Sequence, residues 1–106
     1  MSLADRAPRG TLKPGTLSPK LSVPAHIERP EYMFHSGPEV VTASDIKTPE
    51  TVEKIRRAGR IAAQAMETAA AAIAPGVTTD ALDKIAHEYL CDHGAYPSCL
   101  GYMGFP

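Results

Sequence analysis

The sequence predicts an incomplete α/β (α+β) structure that is mainly helical over the residues present. Three observations predict it: a proline-bearing stretch over residues 1–47, two segments with helical periodicity after it, and a final stretch, SCLGYMGFP, rich in glycine and aromatic residues. A chain of this size buries only about 60% of its unfolded surface. Two helices with thin apolar stripes cannot bury both stripes and also shelter such a loop. We therefore expect the helices to pack on a sheet that these residues barely begin.

Composition and charge exclude several classes of protein. The 106 residues carry 11 basic and 12 acidic side chains and a formal net charge of −1, which argues against binding to DNA or to an anionic membrane surface. The opening residues MSLADRAPRG lack the apolar core of a signal peptide. No run approaches the roughly 20 apolar residues of a membrane span. Two cysteines are too few for a disulfide scaffold, so we expect free thiols in a cytoplasmic protein.

Residues 1–47 are predicted to form an extended N-terminal arm. Proline fixes φ and removes a backbone donor, which excludes a helix or a central strand here. A polyproline ligand needs prolines three residues apart, whereas the early spacings are six, five, five and six. An arm lying over the rest of the fold is the alternative that the spacing favours. Its candidate apolar anchors are Leu17, Leu21, Val23, Ile27, Tyr32 and Phe34.

The pattern over residues 48–74 predicts the first helix. Thr48 is a typical N-cap and Pro49 a typical first helical residue, and Glu50 favours the positive end of the helix dipole. Pro75-Gly76 should end it. Apolar residues recur at helical spacing at Val52, Ile55, Ala58 or Gly59, Ala62, Ala65 or Met66, Ala69 and Ile73. The opposite face carries Glu53, Lys54, Arg56, Arg57, Arg60 and Glu67.

Residues 79–93 predict a second helix. Thr78 is its expected cap and Gly94 its expected end. The apolar face consists of Leu82, Ile85, Ala86, Tyr89 and Leu90. Residues 95–98 should then run as a short extended segment into the closing stretch.

Two motifs suggest chemistry that the spacing does not support well. HEYLC, residues 87–91, resembles the zinc pattern H-E-x-x-H with Cys91 in place of the second histidine. His93 lies about 240° around the helix from His87 and cannot complete that site. We expect a partly exposed His87 and a small buried Cys91 instead. Cys91 and Cys99 have no recognised metal or redox spacing, which favours two free thiols.

Two further features leave alternatives open. Arg56, Arg57 and Arg60 could contact RNA or the ribosome, or they could form a solvated face interleaved with glutamates. In the closing stretch, Gly101 and Gly104 permit a tight backbone path that turns aromatic rings to one side. Such a loop could form the wall of an apolar pocket or fill a hydrophobic core.

Three segments in order resemble the opening of a type 1 methionine aminopeptidase. They are TPETVEKIRRAGRIAAQAM, APGVTTDALDKIAHEYLCDHGAYPS and LGYMGFP, and the resemblance covers about residues 47–106. The arm sequence SPKLSVPAHIERPEY is similar to the N-terminal extension of the actinobacterial form. The resemblance implies the pita-bread (creatinase/aminopeptidase-like) fold, with residues 48–106 supplying the first helices and the start of its sheet.

The resemblance also implies an activity. Such enzymes remove the initiator methionine from nascent polypeptide N-termini, using two divalent metal ions (Co, Mn, Fe or Zn) that activate a water. By position in the motif, Tyr102 and Phe105 would be walls of the methionine pocket and Cys99 an edge residue. Met103 stands where the family often has histidine. The family's metal ligands lie beyond the GFP motif, so this chain alone is expected to bind no metal pair and to be inactive.

Two alternatives to an aminopeptidase segment remain at this point. One is a non-enzymatic interaction module that uses the arm and the basic helix to bind a partner. The other is a small zinc protein that uses His87 and Cys91. Within the aminopeptidase hypothesis, the expected partners are nascent N-termini, with a ribosome contact through the arm or the arginines as an addition.

Overall fold

The computed structural model describes residues 15–34 and 45–104. Residues 15–34, here called the N-terminal segment, run without regular structure to a 3₁₀ turn at Glu31–Met33. Helix α1 spans Pro49–Ala71, helix α2 spans Thr79–Asp92, and a second 3₁₀ turn spans Tyr102–Gly104. No strand occurs within these described ranges, so the prediction of a mainly helical chain is confirmed for them. Residues 95–97 have no regular secondary structure, and no strand among the described residues pairs with them.

Helix α1 begins where the sequence predicts and ends three residues early. The Thr48 hydroxyl accepts a hydrogen bond from the Thr51 amide at 3.2 Å, which confirms the predicted cap. At the other end, the amides of Ala72 and Ile73 donate three residues back instead of four. Pro75 explains the early end, because a proline disfavours helical geometry in the residue before it.

Helix α2 has the predicted cap and the predicted stop. The Thr78 hydroxyl accepts from the Ala81 amide at 3.1 Å. After Asp92 the chain reverses at Gly94, whose φ is +74°. The Gly94 amide donates to Cys91 and the Ala95 amide donates to Leu90, which is the Schellman arrangement that satisfies the last carbonyls of a helix.

The two helices pack on each other. Ala65 of α1 is 4% exposed, and the Tyr89 hydroxyl of α2 donates to the Gln64 amide oxygen at 2.9 Å. The larger members of the predicted apolar stripe are exposed, namely Ile55, Met66 and Ile73. Packing on α2 thus covers little of the stripe on α1. Of the helices in the described ranges, neither is long and apolar enough to cross a membrane.

The N-terminal segment lies along α2. Both the amide and the hydroxyl of Ser18 donate to one carboxylate oxygen of Asp80, at 3.2 and 3.0 Å. Ile27 and Tyr32 are buried, as expected of apolar anchors. Leu17 and Phe34 are exposed, so the expectation that these two side chains anchor the arm is wrong.

The basic face of α1 is exposed to solvent. Arg56 and Arg60 both approach Glu53, at 3.3 and 3.9 Å, and all three side chains are more than half exposed. Ion pairs this exposed contribute little to stability.

Candidate functional site

The candidate site is the closing loop, residues 95–104, which is built from consecutive tight turns. The Leu100 amide donates to Pro97 at 2.9 Å, and the Tyr102 amide donates to Cys99 at 3.1 Å. Gly101 has a φ of +77° and Met103 a φ of +47°, so both adopt left-handed backbone conformations.

Two of the three residues proposed for the methionine pocket, Cys99 and Tyr102, lie within the described part of the chain. Cys99 is exposed and lines a groove of about 580 Å³ between the N-terminal segment, α2 and the closing loop. Tyr102 lies outside the lining of that groove, and its ring packs on Tyr32. Phe105 lies outside the described residues. Of these residues, Cys99 is the one that lines this groove.

The groove beside Cys99 is mainly apolar with a few charged groups at its side. Its walls include Leu17, Leu21, Asp83, His87, Leu90 and Cys99. Small-molecule pockets combine apolar walls with a few polar groups in this way.

Contacts from the N-terminal segment to the closing loop are the feature that sequence reasoning missed. The Tyr32 hydroxyl donates to the Ser98 carbonyl, and the Tyr32 ring meets Tyr102 edge-on with centroids 5.1 Å apart. The Met33 thioether lies over Gly101, where a Cβ atom would come within 2.6 Å of its sulfur. The sequence marked Tyr32 only as an apolar anchor and gave no signal for Met33.

Arg29 organises the turn that precedes these contacts. Its guanidinium donates to the carbonyls of Val23, Pro24 and Ile27, at 2.7, 3.0 and 2.9 Å respectively. The same group lies 5.7 Å from the ring centroid of Tyr96 in the closing loop. Arg29 thereby joins the turn to the start of the loop by hydrogen bonds on one side and a cation–π contact on the other.

The HEYLC motif holds two parts of the chain together. His87 is buried, which corrects the expectation of a partly exposed side chain. Its Nε2 lies 2.8 Å from the Ser22 carbonyl. Because a carbonyl only accepts, Nε2 carries the proton and donates. His87 therefore fixes the N-terminal segment to α2.

The two cysteines are free, as predicted, and differ in environment. Burial raises the pKa of the Cys91 thiol, the Asp92 carboxylate raises it further, and the Arg29 guanidinium acts in the opposite direction. A thiol with a raised pKa is a weaker nucleophile and a weaker metal ligand at neutral pH, because the thiolate is the reactive form.

The described residues do not supply a metal centre. Among them, no group of three or more His, Cys, Asp or Glu side chains is arranged to hold a metal ion. The donor set therefore does not fit a pair of divalent ions. The groove beside Cys99 instead offers mainly apolar walls.

Comparison with known proteins identifies the family. Residues 53–106 match metallopeptidase family M24. The chain is 57% identical over 98 residues to "Methionine aminopeptidase 2" of Mycobacterium tuberculosis, a match covering 92% of this chain and 34% of that protein. It is 39% identical over 104 residues to "Methionine aminopeptidase 1D, mitochondrial" of Dictyostelium discoideum, covering 95% of this chain and 26% of that protein.

A third relative, "Methionine aminopeptidase 1A" of Arabidopsis thaliana, is 42% identical over 103 residues, which covers 92% of this chain and 26% of that protein. The chain thus spans about a third or less of the length of these curated relatives. Since the family match covers half of the chain, the chain belongs to metallopeptidase family M24.

Proposed function

We propose that this chain is a segment of a methionine aminopeptidase, in which it helps to bind the methionine that the whole enzyme removes from nascent proteins. The observation that carries the proposal is the 57% identity over 98 residues to the M. tuberculosis relative. That identity extends over nearly the whole chain, so it includes the N-terminal segment as well as the helices. The non-enzymatic interaction module has no comparable support.

The proposal divides the chain as the sequence suggested. Residues 1–47 would form an arm, and residues 48–106 would form the first part of a catalytic domain with the pita-bread fold. The larger apolar side chains of the α1 stripe are exposed, namely Ile55, Met66 and Ile73. An amphipathic helix normally packs its apolar stripe against a core. The exposed stripe therefore supports placing α1 in a larger catalytic domain.

Within that enzyme, Cys99, Tyr102 and Phe105 are proposed as residues of the methionine pocket. Aromatic rings and a thioether attract each other by about 0.3–1.5 kcal/mol per contact, which suits a methionine side chain. The exposure of Cys99 and the partly exposed ring of Tyr102 leave both available to a substrate.

The metal ions belong to the remainder of the enzyme in this proposal. M24 is a metallopeptidase family, and two divalent ions (Co, Mn, Fe or Zn) would supply the activated water. Their ligands would come from outside the described residues, since these hold no suitable cluster. This chain alone is therefore proposed to be inactive.

The proposed partners are nascent polypeptide N-termini in the cytoplasm. The ribosome is an additional proposed partner, contacted through the arm or through Arg56, Arg57 and Arg60. The exposure of these three side chains supports this contact, although Glu53 neutralises part of their charge.

A chimera tests the activity. The matching segment of the M. tuberculosis protein is replaced by this chain, and methionine release from Met-Ala-Ser is measured with Mn²⁺ or Co²⁺ present. We expect activity within about tenfold of the parent, a difference of about 1.4 kcal/mol in barrier height. Leu-Ala-Ser serves as the control peptide and should be cleaved more slowly, because the branched side chain fits a methionine pocket less well.

A folded, metal-loaded chimera that releases no methionine would contradict the proposal.

The pocket assignment has its own test in the active chimera. Phe105→Ala should lower kcat/KM for the methionine peptide while the bound metal per protein, measured by elemental analysis, stays unchanged. Loss of metal on this substitution would show that Phe105 supports the metal site instead.

A further inference from the structure

We propose that Tyr32 and Met33 are positioning residues for the closing loop, and that they thereby set how tightly the methionine side chain of the substrate is bound. The part concerning substrate rests on the proposed function. The part concerning the loop rests on contacts within this chain alone.

A direct hydrogen bond joins Tyr32 to the closing loop. Tyr32 is 8% exposed, and its hydroxyl donates to the Ser98 carbonyl, directly before Cys99. A buried hydroxyl with a main-chain acceptor has little freedom to move away, because it would lose its partner without gaining water. The backbone position of Ser98 is thus set from the N-terminal segment.

The ring of Tyr32 also contacts the closing loop, at Tyr102. The Tyr32 ring meets the Tyr102 ring at 80°, with centroids 5.1 Å apart. Edge-to-face packing of this kind is a favourable arrangement of two aromatic rings. One side chain of the N-terminal segment therefore holds residues on both sides of Cys99.

Met33 also lies close to the closing loop, at Gly101. The space beside Gly101 that a Cβ would occupy is taken by the Met33 thioether, whose sulfur is 2.6 Å from that position. Gly101 also has a left-handed φ of +77°. Met33 covers the backbone at the point where the loop reverses, and it adds a second contact from the same 3₁₀ turn.

These three contacts fix the loop from a segment more than 60 positions earlier. A loop that binds substrate is more selective and binds more tightly when its conformation is set before the substrate arrives. A more mobile loop should bind the methionine side chain of the substrate less tightly, without changing the bond-breaking step. The expected signature is a higher KM with little change in kcat.

The first experiment measures the loop directly in this chain by amide hydrogen exchange. Tyr32→Phe removes the hydroxyl and keeps the ring. The amides of Leu100 and Tyr102, which close the two turns, should exchange about fivefold faster, as expected for loss of one typical hydrogen bond. Tyr89→Phe is the matched control, because it removes a tyrosine hydroxyl that bonds Gln64 of α1, and it should leave these amides unchanged.

Two exchange results would overturn the inference. One is equal exchange of the Leu100 and Tyr102 amides in the wild-type chain and in Tyr32→Phe. The other is faster exchange throughout α1 as well as in the loop, which would indicate general destabilisation. Met33→Ala is a second, independent variant and should also accelerate the loop amides alone.

The second experiment places Tyr32→Phe and Tyr89→Phe in the chimera. We expect KM for Met-Ala-Ser to rise about fivefold in Tyr32→Phe only, with kcat changed less than about twofold. An active chimera whose KM is unaffected by Tyr32→Phe overturns the inference and leaves the proposed function intact. An inactive wild-type chimera overturns the proposed function and the part of the inference that concerns substrate. Amide hydrogen exchange in this chain still tests whether Tyr32 and Met33 position the loop.

Discussion

The imidazole Nε2 of His87 lies 2.8 Å from the Ser22 carbonyl oxygen, although 65 positions separate the two residues. This partly buried bond crosses from α2 to the N-terminal segment. Together with the Ser18–Asp80 contacts, it attaches the segment to the helix at two places.

His87→Ala should lower the free energy of unfolding by about 1–3 kcal/mol, because it removes a buried donor and leaves the Ser22 carbonyl without that partner. Urea unfolding followed by circular dichroism measures the change. His93→Ala is the control, since His93 is exposed and lies just after α2, where its ring bonds and stacks on Tyr89. It should lower stability by less than His87→Ala does, because these contacts are exposed. Equal losses in the two variants would contradict the role given to His87.

Arg29→Lys should destabilise the turn of the N-terminal segment even though it keeps the positive charge. An ammonium group cannot reproduce the fork that reaches three carbonyls at 2.7–3.0 Å. The expected readout is faster amide exchange at Ile27, whose amide donates to Pro24 within the turn. Arg57→Lys on the exposed face of α1 is the matched substitution. An unchanged Ile27 amide in Arg29→Lys would mean that the turn holds without the guanidinium.

Stability should fall at alkaline pH through Cys91. Its folded-state pKa is raised by burial and by Asp92, so the unfolded chain releases the thiol proton first as the pH rises. The stabilisation is therefore fully present below the pKa of the unfolded thiol, about 8.5, and is lost as the pH rises through the folded-state pKa. Unfolding free energies of the wild-type chain and of Cys91→Ala are compared across this window. A constant difference between them would contradict the shift.

The thiols should also differ in reactivity with a disulfide reagent. At neutral pH the exposed Cys99 should react first, and the buried Cys91 should react only when the chain unfolds. Cys99→Ser and Cys91→Ser identify which thiol gives each kinetic phase. A fast phase that survives Cys99→Ser would place Cys91 at the surface.

Gly101→Ala should cost more than Gly94→Ala. Both glycines have nearly the same left-handed φ, +77° and +74°, so both substitutions carry a similar backbone penalty of about 1 kcal/mol. A Cβ at Gly94 meets nothing within 4 Å, whereas at Gly101 it would displace the Met33 thioether. Unfolding measurements on the two variants give the difference, and Met33→Ala should reduce it. Equal costs, with or without Met33, would contradict the close approach.

The helices and their caps could be predicted because local signals determine them. Thr48 and Thr78 cap the helices as expected, since a threonine hydroxyl satisfies an amide that the helix leaves unpaired. Gly94 ends α2 for an equally local reason. The end of α1 differed by three residues, because Pro75 acts on the turn before it.

The contacts between the N-terminal segment and the closing loop could not be predicted in the same way. Tyr32 and Ser98 meet only because α2 brings the loop back beside the segment, and no periodicity in the sequence encodes a pair so far apart. For the same reason His87 was expected to be partly exposed, since a helical pattern does not reveal which side a separate segment covers. Family resemblance suggested Cys99 and Tyr102 as pocket residues, but it did not indicate that Tyr32 packs on Tyr102.

The order in which the chain is synthesised gives the Tyr32–Ser98 contact a consequence in time. Ser98 is added 66 positions after Tyr32, and at about 5–20 residues per second this interval lasts about 3–13 s. During that interval Tyr32 has left the peptidyl transferase centre, while its partner Ser98 has not yet been added. Its prolines at positions 19, 24 and 30 disfavour strand pairing with neighbouring chains during the wait. The contact between Tyr32 and Ser98 thus forms only after α1 and α2 have been synthesised.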